Sequence, residues 1–162
     1  MKKYELTAEF IEQWGKKLFR IKALISFGSV EAGELGGYVE KEDNLAQDGD
    51  AWVCDNAWVC DNVMVSGNAW VYGNAEVSGD ARVCGDARVC DNADYLLIGR
   101  IGSRFSFTTF FKNKDKGITV SCGCFLGTIA EFRAKVTDTH GNNKHAKIYN
   151  LAADMAELQI LG

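Results

Sequence analysis

Long apolar runs are what this chain most clearly lacks. Nothing in its 162 residues approaches the roughly 20 consecutive apolar side chains that cross a bilayer. The opening Met1-Lys2-Lys3-Tyr4-Glu5-Leu6 has none of the apolar stretch of a secretion signal. Both absences point to a cytoplasmic protein with no membrane partner. Proline is missing altogether, which by itself indicates no function. Histidine is scarce, His140 and His145 being the only two. What is present, 47% hydrophobic residues, suffices for one or two compact units with an apolar core.

Basic residues are short over one long stretch. Residues 48–94 hold nine acids against Arg82 and Arg88, a balance of −7, whereas residues 95–162 hold nine bases against five acids, about +4. Such an acidic stretch is a poor surface for duplex nucleic acid, and it places any anion site in the basic tail. Six cysteines would suggest a disulfide framework in a secreted protein. Four of them, Cys54, Cys60, Cys84 and Cys90, instead end six-residue units at a position also held by Ser66, Tyr72 and Ser78. They read as small repeat fillers.

From Gly49 the chain reads in sixes: GDAWVC, DNAWVC, DNVMVS, GNAWVY, GNAEVS, GDARVC, GDARVC and DNADYL. Asn or Asp is second in every hexad, Ala or Val third, and Val fifth except for Tyr95. In a strand, Ala51 and Val53 face one way while Trp52 and Cys54 face the other. Gly, Asp and Asn at the joins tolerate a left-handed backbone and turn the chain. Three such strands give a coil of about 18 residues. That spacing sorts the fourth positions into ladders: Trp52, Trp70 and Arg88; Trp58, Glu76 and Asp94; Met64 and Arg82. The order of an aliphatic residue and then a small one four positions on, as in Val53 to Ala57 and Val65 to Ala69, resembles the known hexapeptide pattern. That resemblance implies a left-handed parallel β-helix. Trp52, Trp58 and Trp70 form an outward patch that something should cover. The candidates are the N-terminal segment, a neighbouring subunit of a homo-oligomer, with a trimer favoured, or a base or sugar ring stacked on them.

Residues 1–34 read as a small β unit, with strands near 4–7 and 18–24 and Trp14-Gly15 between them. The stretch Leu35-Gly36-Gly37-Tyr38-Val39 through Leu45 and Ala51 keeps a spacing of six and fits an imperfect coil that starts before the clear hexads. Beyond Tyr95 the segments Leu96 to Arg104, Phe105 to Phe111 and Ile118 to Phe125 carry a β-hairpin signal, with a turn over residues 112–117. Thr128 and Glu131 make a capping box ahead of one helix. Gly141 separates it from a second, which carries Ile148, Leu151, Ala152, Met155 and Leu158 on one side. The fold expected is mainly β. It has an N-terminal β cap (1–34), a short left-handed parallel β-helix of hexapeptide repeats (35–96), and a C-terminal α+β unit of a β-hairpin and two helices (97–162).

Several pieces together resemble a family of hypothetical bacteriophage and prophage proteins, labelled as hexapeptide-repeat proteins or transferases. They are Arg20-Ile21-Lys22-Ala23-Leu24, Gly36-Gly37-Tyr38-Val39-Glu40, the hexads, Ile101-Gly102-Ser103-Arg104 with Thr108-Thr109-Phe110-Phe111, Cys122-Gly123-Cys124-Phe125 and Thr139-His140-Gly141. The chain is also similar in style to small phage proteins that sequester nucleotide immune signals. The resemblance implies an anti-defence sponge in a bacterial host cytoplasm.

Hexapeptide acyltransferases need a histidine base near a coil boundary, and the hexads contain none. His140 falls at a helix end, where histidine serves as a cap, a surface residue or a ligand contact. Cys122-Gly123-Cys124 lacks the second ligand pair that zinc needs and reads as packing. No metal, cofactor or catalytic residue is expected. In Arg100-Ile101-Gly102-Ser103-Arg104 the glycine permits close backbone approach, the serine offers a hydroxyl, and two arginines can fork onto phosphate oxygens. The same stretch also reads as a strand-to-strand turn whose arginines pair with acidic residues. The candidate ligand-binding set is Arg100, Gly102, Ser103, Arg104, Thr108, Thr109, Lys112 and His140. It would take a small anion such as a cyclic nucleotide or an ADP-ribose-type signal, held without turnover. The alternatives are an acyl-CoA-dependent transferase and a structural oligomer.

Overall fold

The computed structural model describes residues 1–162, which divide into two compact units, Met1–Asn92 and Ala93–Gly162. In the first, β1 (Tyr4–Gln13) and β2 (Lys16–Ala23) form an antiparallel hairpin. Its turn residues Trp14 and Gly15 take φ of 50° and 77°, the left-handed pair whose twist suits a two-residue hairpin loop. Strand β2 continues the sheet to β3 (Leu35–Val39), so the boundary expected at residue 34 falls within one sheet.

The hexads supply seven strands of two residues each: β4 (Trp52–Val53), β5 (Trp58–Val59), β6 (Met64–Val65), β7 (Trp70–Val71), β8 (Glu76–Val77), β9 (Arg82–Val83) and β10 (Arg88–Val89). Strands β4 to β9 each stop because the next hexad opens on a left-handed residue. Gly49, Asp55, Asp61, Gly67, Gly73, Gly79 and Gly85 all have φ between 56° and 76°. The corner carboxylates also bond across the ladder: Asp55 accepts from the Gly73 amide at 3.1 Å and Asp61 from the Gly79 amide at 2.9 Å. Val53, Val59, Val65, Val71, Val77, Val83 and Val89 are completely buried, each contributing about 1.5–3 kcal/mol relative to exposure. Pairing is parallel between Trp52, Trp70 and Arg88, between Trp58 and Glu76, and between Met64 and Arg82.

The fold class nevertheless differs from the expectation of a left-handed parallel β-helix, because no sheet is closed or continuous as a solenoid. The strands fall into four small sheets, ordered β1-β2-β3-β5-β8, β10-β7-β4, β6-β9, and the four strands of the second unit. Only two residues of each hexad are strand, so the ladders between hexads are two residues long. The longest sheet is instead built on the antiparallel β1–β2 hairpin, onto which β5 and β8 are added. The result is a set of small mixed, parallel and antiparallel sheets, 40% strand and 22% helix.

Of the candidates for covering the tryptophan patch, the N-terminal segment packs on two of the three rings. Trp52 is 1% exposed, edge-on to Phe27 at 5.2 Å and Tyr4 at 6.3 Å. Trp58 is buried against Leu18, Tyr38 and Cys60, with the Trp14 ring edge-on at 5.7 Å. The N-terminal segment covers both, so neither offers a stacking or subunit surface; Trp70 is half-buried. Upstream of the hexads the register slips. Tyr38 pairs with Trp58 and Leu45 with Val65, an offset of 20 residues, where Trp52 to Trp70 is 18. The corner between Leu45 and Val53 therefore holds two extra residues. Lys3 fills it, donating to the carbonyl of Ala51 at 2.8 Å and lying 3.3 and 3.4 Å from those of Gly49 and Asp48.

In the second unit β11 (Tyr95–Ile101), β12 (Ser106–Lys112), β13 (Ile118–Cys122) and β14 (Phe125–Thr128) form a four-stranded antiparallel meander, larger than the hairpin expected. Helix α1 (Ile129–His140) opens on the Thr128–Glu131 capping box and ends at Gly141, with φ of 62°. Helix α2 (Lys144–Leu161) is capped by Asn143, whose side chain accepts from the Ala146 amide at 3.1 Å. The core joins Phe110, Val120, Phe132 and Val136 to Ala152, Ala153, Ala156 and Ile160 of α2. Alanines let α2 approach closely, and the larger Leu151, Met155 and Leu158 face solvent at 62%, 51% and 76% exposure. No helix is long and apolar enough to cross a membrane.

Candidate functional site

A pocket of about 380 Å³ lies in the second unit where four pieces of chain meet. The β11–β12 turn supplies Ser103, Arg104 and Ser106; the β13–β14 turn supplies Cys122, Gly123, Cys124 and Phe125. Helix α1 adds Phe132, Lys135, Val136, Thr139 and His140, and α2 adds Tyr149. Phe125 and Phe132 pack with ring centres 5.7 Å apart, and Tyr149 stands edge-on to Phe132 at 5.6 Å, giving an aromatic wall. The His140 ring lies nearly parallel to Tyr149 at 5.8 Å, with His145 5.5 Å away on its other contact. Burial pushes the Tyr149 phenol up to about 12, helped by the charge and hydrogen bond of Cys122 and opposed by nearby Arg104. Arg104 and Lys135 are exposed at the rim, and no carboxylate is among the lining residues.

Of the eight residues proposed from sequence, Ser103, Arg104 and His140 line this pocket. Gly102 sits behind it with φ of 81°, and a Cβ there would overlap the Tyr149 hydroxyl. Its bare backbone makes room for Tyr149, where the sequence suggested room for phosphate. Arg100 is held along its own hairpin, its guanidinium 5.3 Å above the Phe107 ring and 3.5 Å from the Phe105 carbonyl. Thr108 is buried and bonds the Cys122 sulfur at 3.2 Å, a support for the wall. Thr109 is buried within the sheet, and Lys112, at the opposite end of β12 from Ser106, pairs with Asp94 at 3.3 Å.

Sequence reasoning missed Lys135 and Tyr149. Lys135 stands five residues before His140 in α1, and this shared helix was the available signal. Tyr149 carried none, since its place follows from the packing of α2. The six cysteines are not disulfide-bonded, and no group of three or more His, Cys, Asp or Glu side chains is gathered to hold a metal ion. No protein-family model and no curated protein matches this chain.

Proposed function

We propose that the second unit binds a small anionic, nucleotide-type ligand and holds it without turnover. The observation that carries this is the composition of the pocket: two exposed cations, Arg104 and Lys135, at the rim of an aromatic wall with no lining carboxylate. Arginine supplies a planar fork for phosphate oxygens and lysine a mobile point charge. Phe125, Phe132 and Tyr149 give a planar group an apolar face. The last turn of α1 works against an anion through its partial negative charge, so the two cations must outweigh it. A cyclic nucleotide or an ADP-ribose-type signal combines the charge and the ring that such a site accepts. Sequestration of such a signal in a bacterial cytoplasm, in phage–host conflict, is the role that follows.

The experiment is mass spectrometry of small molecules released when the purified protein is denatured. A phosphate-bearing, ring-containing compound released by the wild type and lost from an Arg104→Ala, Lys135→Ala double variant is the expected result. An acyl-CoA in its place would move the protein to the transferases. A ligand retained by the double variant would remove the site.

A further inference from the structure

The solvent face of α2 is apolar and organised. Ile148, Leu151, Met155 and Leu158 follow one another at intervals of three, four and three residues, the spacing of a seam that packs against another helix. Leu151, Met155, Leu158 and Leu161 are each more than half exposed. Together they present on the order of 400 Å² of apolar surface, about the apolar share of the ~800 Å² that each partner buries in a stable interface. A broad depression lined by Lys147, Asn150, Leu151 and Asp154 of α2, with Thr137 and Gly141, adjoins the stripe.

The charges of α2 say what would cover it. The first turn has no acidic residue and the last no basic one. Lys144 and Lys147 lie in the first half, and Asp154 and Glu157 in the second. That order runs against the helix dipole and is unfavourable for a lone helix. It is complementary to a second α2 running the opposite way. Lys147 and Asp154 lie on the same flank of the stripe at an (i, i+7) separation, so an antiparallel pair crossing near Leu151 sets each Lys147 beside the other copy's Asp154. Asp154 is 65% exposed even while it bonds Arg133 at 2.7 Å, which leaves it accessible to a second cation.

We infer that this face is a self-association surface: two copies of the chain pair through antiparallel α2 helices, with Leu151 at the two-fold axis. A two-fold contact of this kind is isologous and needs only one self-complementary patch. Sedimentation equilibrium of the full chain tests it, with circular dichroism to show that each variant is folded. The wild type is expected as a dimer and Leu151→Lys as a folded monomer. Lys147→Asp is expected to raise the dimer dissociation constant at least about tenfold, and adding Asp154→Lys to that variant should restore most of the loss. A wild type that stays monomeric at every concentration, a mass of three chains, or association that survives Leu151→Lys would each overturn the proposal. If Leu151→Lys fails to fold, the Lys147 and Asp154 exchange decides alone, and no change in dissociation constant across it counts against the pairing.

Discussion

Replacing Lys3 by methionine removes an ammonium from the interior while keeping a side chain of similar length. Lys3 is 1% exposed and its one short bond runs to the Ala51 carbonyl at 2.8 Å. A hydrogen bond from a charged donor contributes about 1.5–3 kcal/mol, and the longer contacts to Gly49 and Asp48 add little. The ammonium also lies 4.7 Å above the Phe27 ring, a contact of about 0.5–1 kcal/mol. Against these stands desolvation, which lowers the Lys3 pKa below 10.5 despite the opposing charges of Asp48 and Asp50. The net loss in Lys3→Met is then about 2 kcal/mol. The sign of its pH dependence is distinctive. Because the folded chain binds this proton more weakly than the unfolded one, the wild type gains stability relative to Lys3→Met as pH rises from the lowered folded value to 10.5, the neutral amine keeping its bond to the Ala51 carbonyl. Urea unfolding of both proteins at a series of alkaline pH values measures the difference, in which the other titrating groups largely cancel. The wild-type advantage should widen as pH rises towards 10.5. An advantage below about 0.5 kcal/mol, or one that shrinks with rising pH, would refute the assignment of Lys3 as the donor that satisfies this corner.

Arg104→Ala should weaken ligand binding by roughly 10- to 100-fold, the loss of one charge-assisted hydrogen bond, whereas Arg100→Ala should leave it nearly unchanged; parallel titrations separate the two. Gly102→Ala forces a Cβ into the Tyr149 hydroxyl, so thermal unfolding should show destabilisation by at least about 1–2 kcal/mol, with Tyr149→Phe in the same background recovering part of it. Hydrogen bonds with Thr128 hold the Glu131 carboxyl below its ordinary value of 4.5. The wild-type advantage over Glu131→Ala should therefore be full above that pH and disappear as pH falls through the lowered value. Burial pushes the Cys54 thiol from 9.0 to about 12, so its contribution to stability is full below pH 9.0 and lost as pH rises towards 12. Alkylation followed by peptide mapping should label exposed Cys124 well before Cys54 in the native protein.

Local structure was legible in the hexads because one choice at each position answers one physical need. Valine fills the interior, Gly or Asp takes the left-handed corner, and six-residue spacing sets which residues stack. The assembly of those strands into sheets was not legible. It depends on the β1–β2 hairpin reaching β3 and drawing β5 and β8 into its sheet, which no single hexad encodes. Helix α2 shows a second limit. Hydrophobicity groups Leu151, Met155 and Leu158 as the apolar side, yet the sheet receives the alanine side, since close approach favours small residues over large ones. At the site, Ser103 and Arg104 were visible because one short turn carries both. Lys135 and Tyr149 come from two helices and meet them only after folding. Gly102 was visible as a residue type and misread in purpose, because the sequence does not say which neighbour needs the space.

We propose that the Arg104 and Lys135 pocket takes an anionic, ring-bearing ligand and returns it unchanged. Isothermal titration calorimetry with cyclic nucleotides and ADP-ribose, followed by chromatography of the recovered ligand, tests it most directly. Saturable heat is expected for at least one of them, with the same compound recovered intact and at least a tenfold weaker response from Arg104→Ala. Absence of heat for every candidate, or recovery of a converted product, would contradict it.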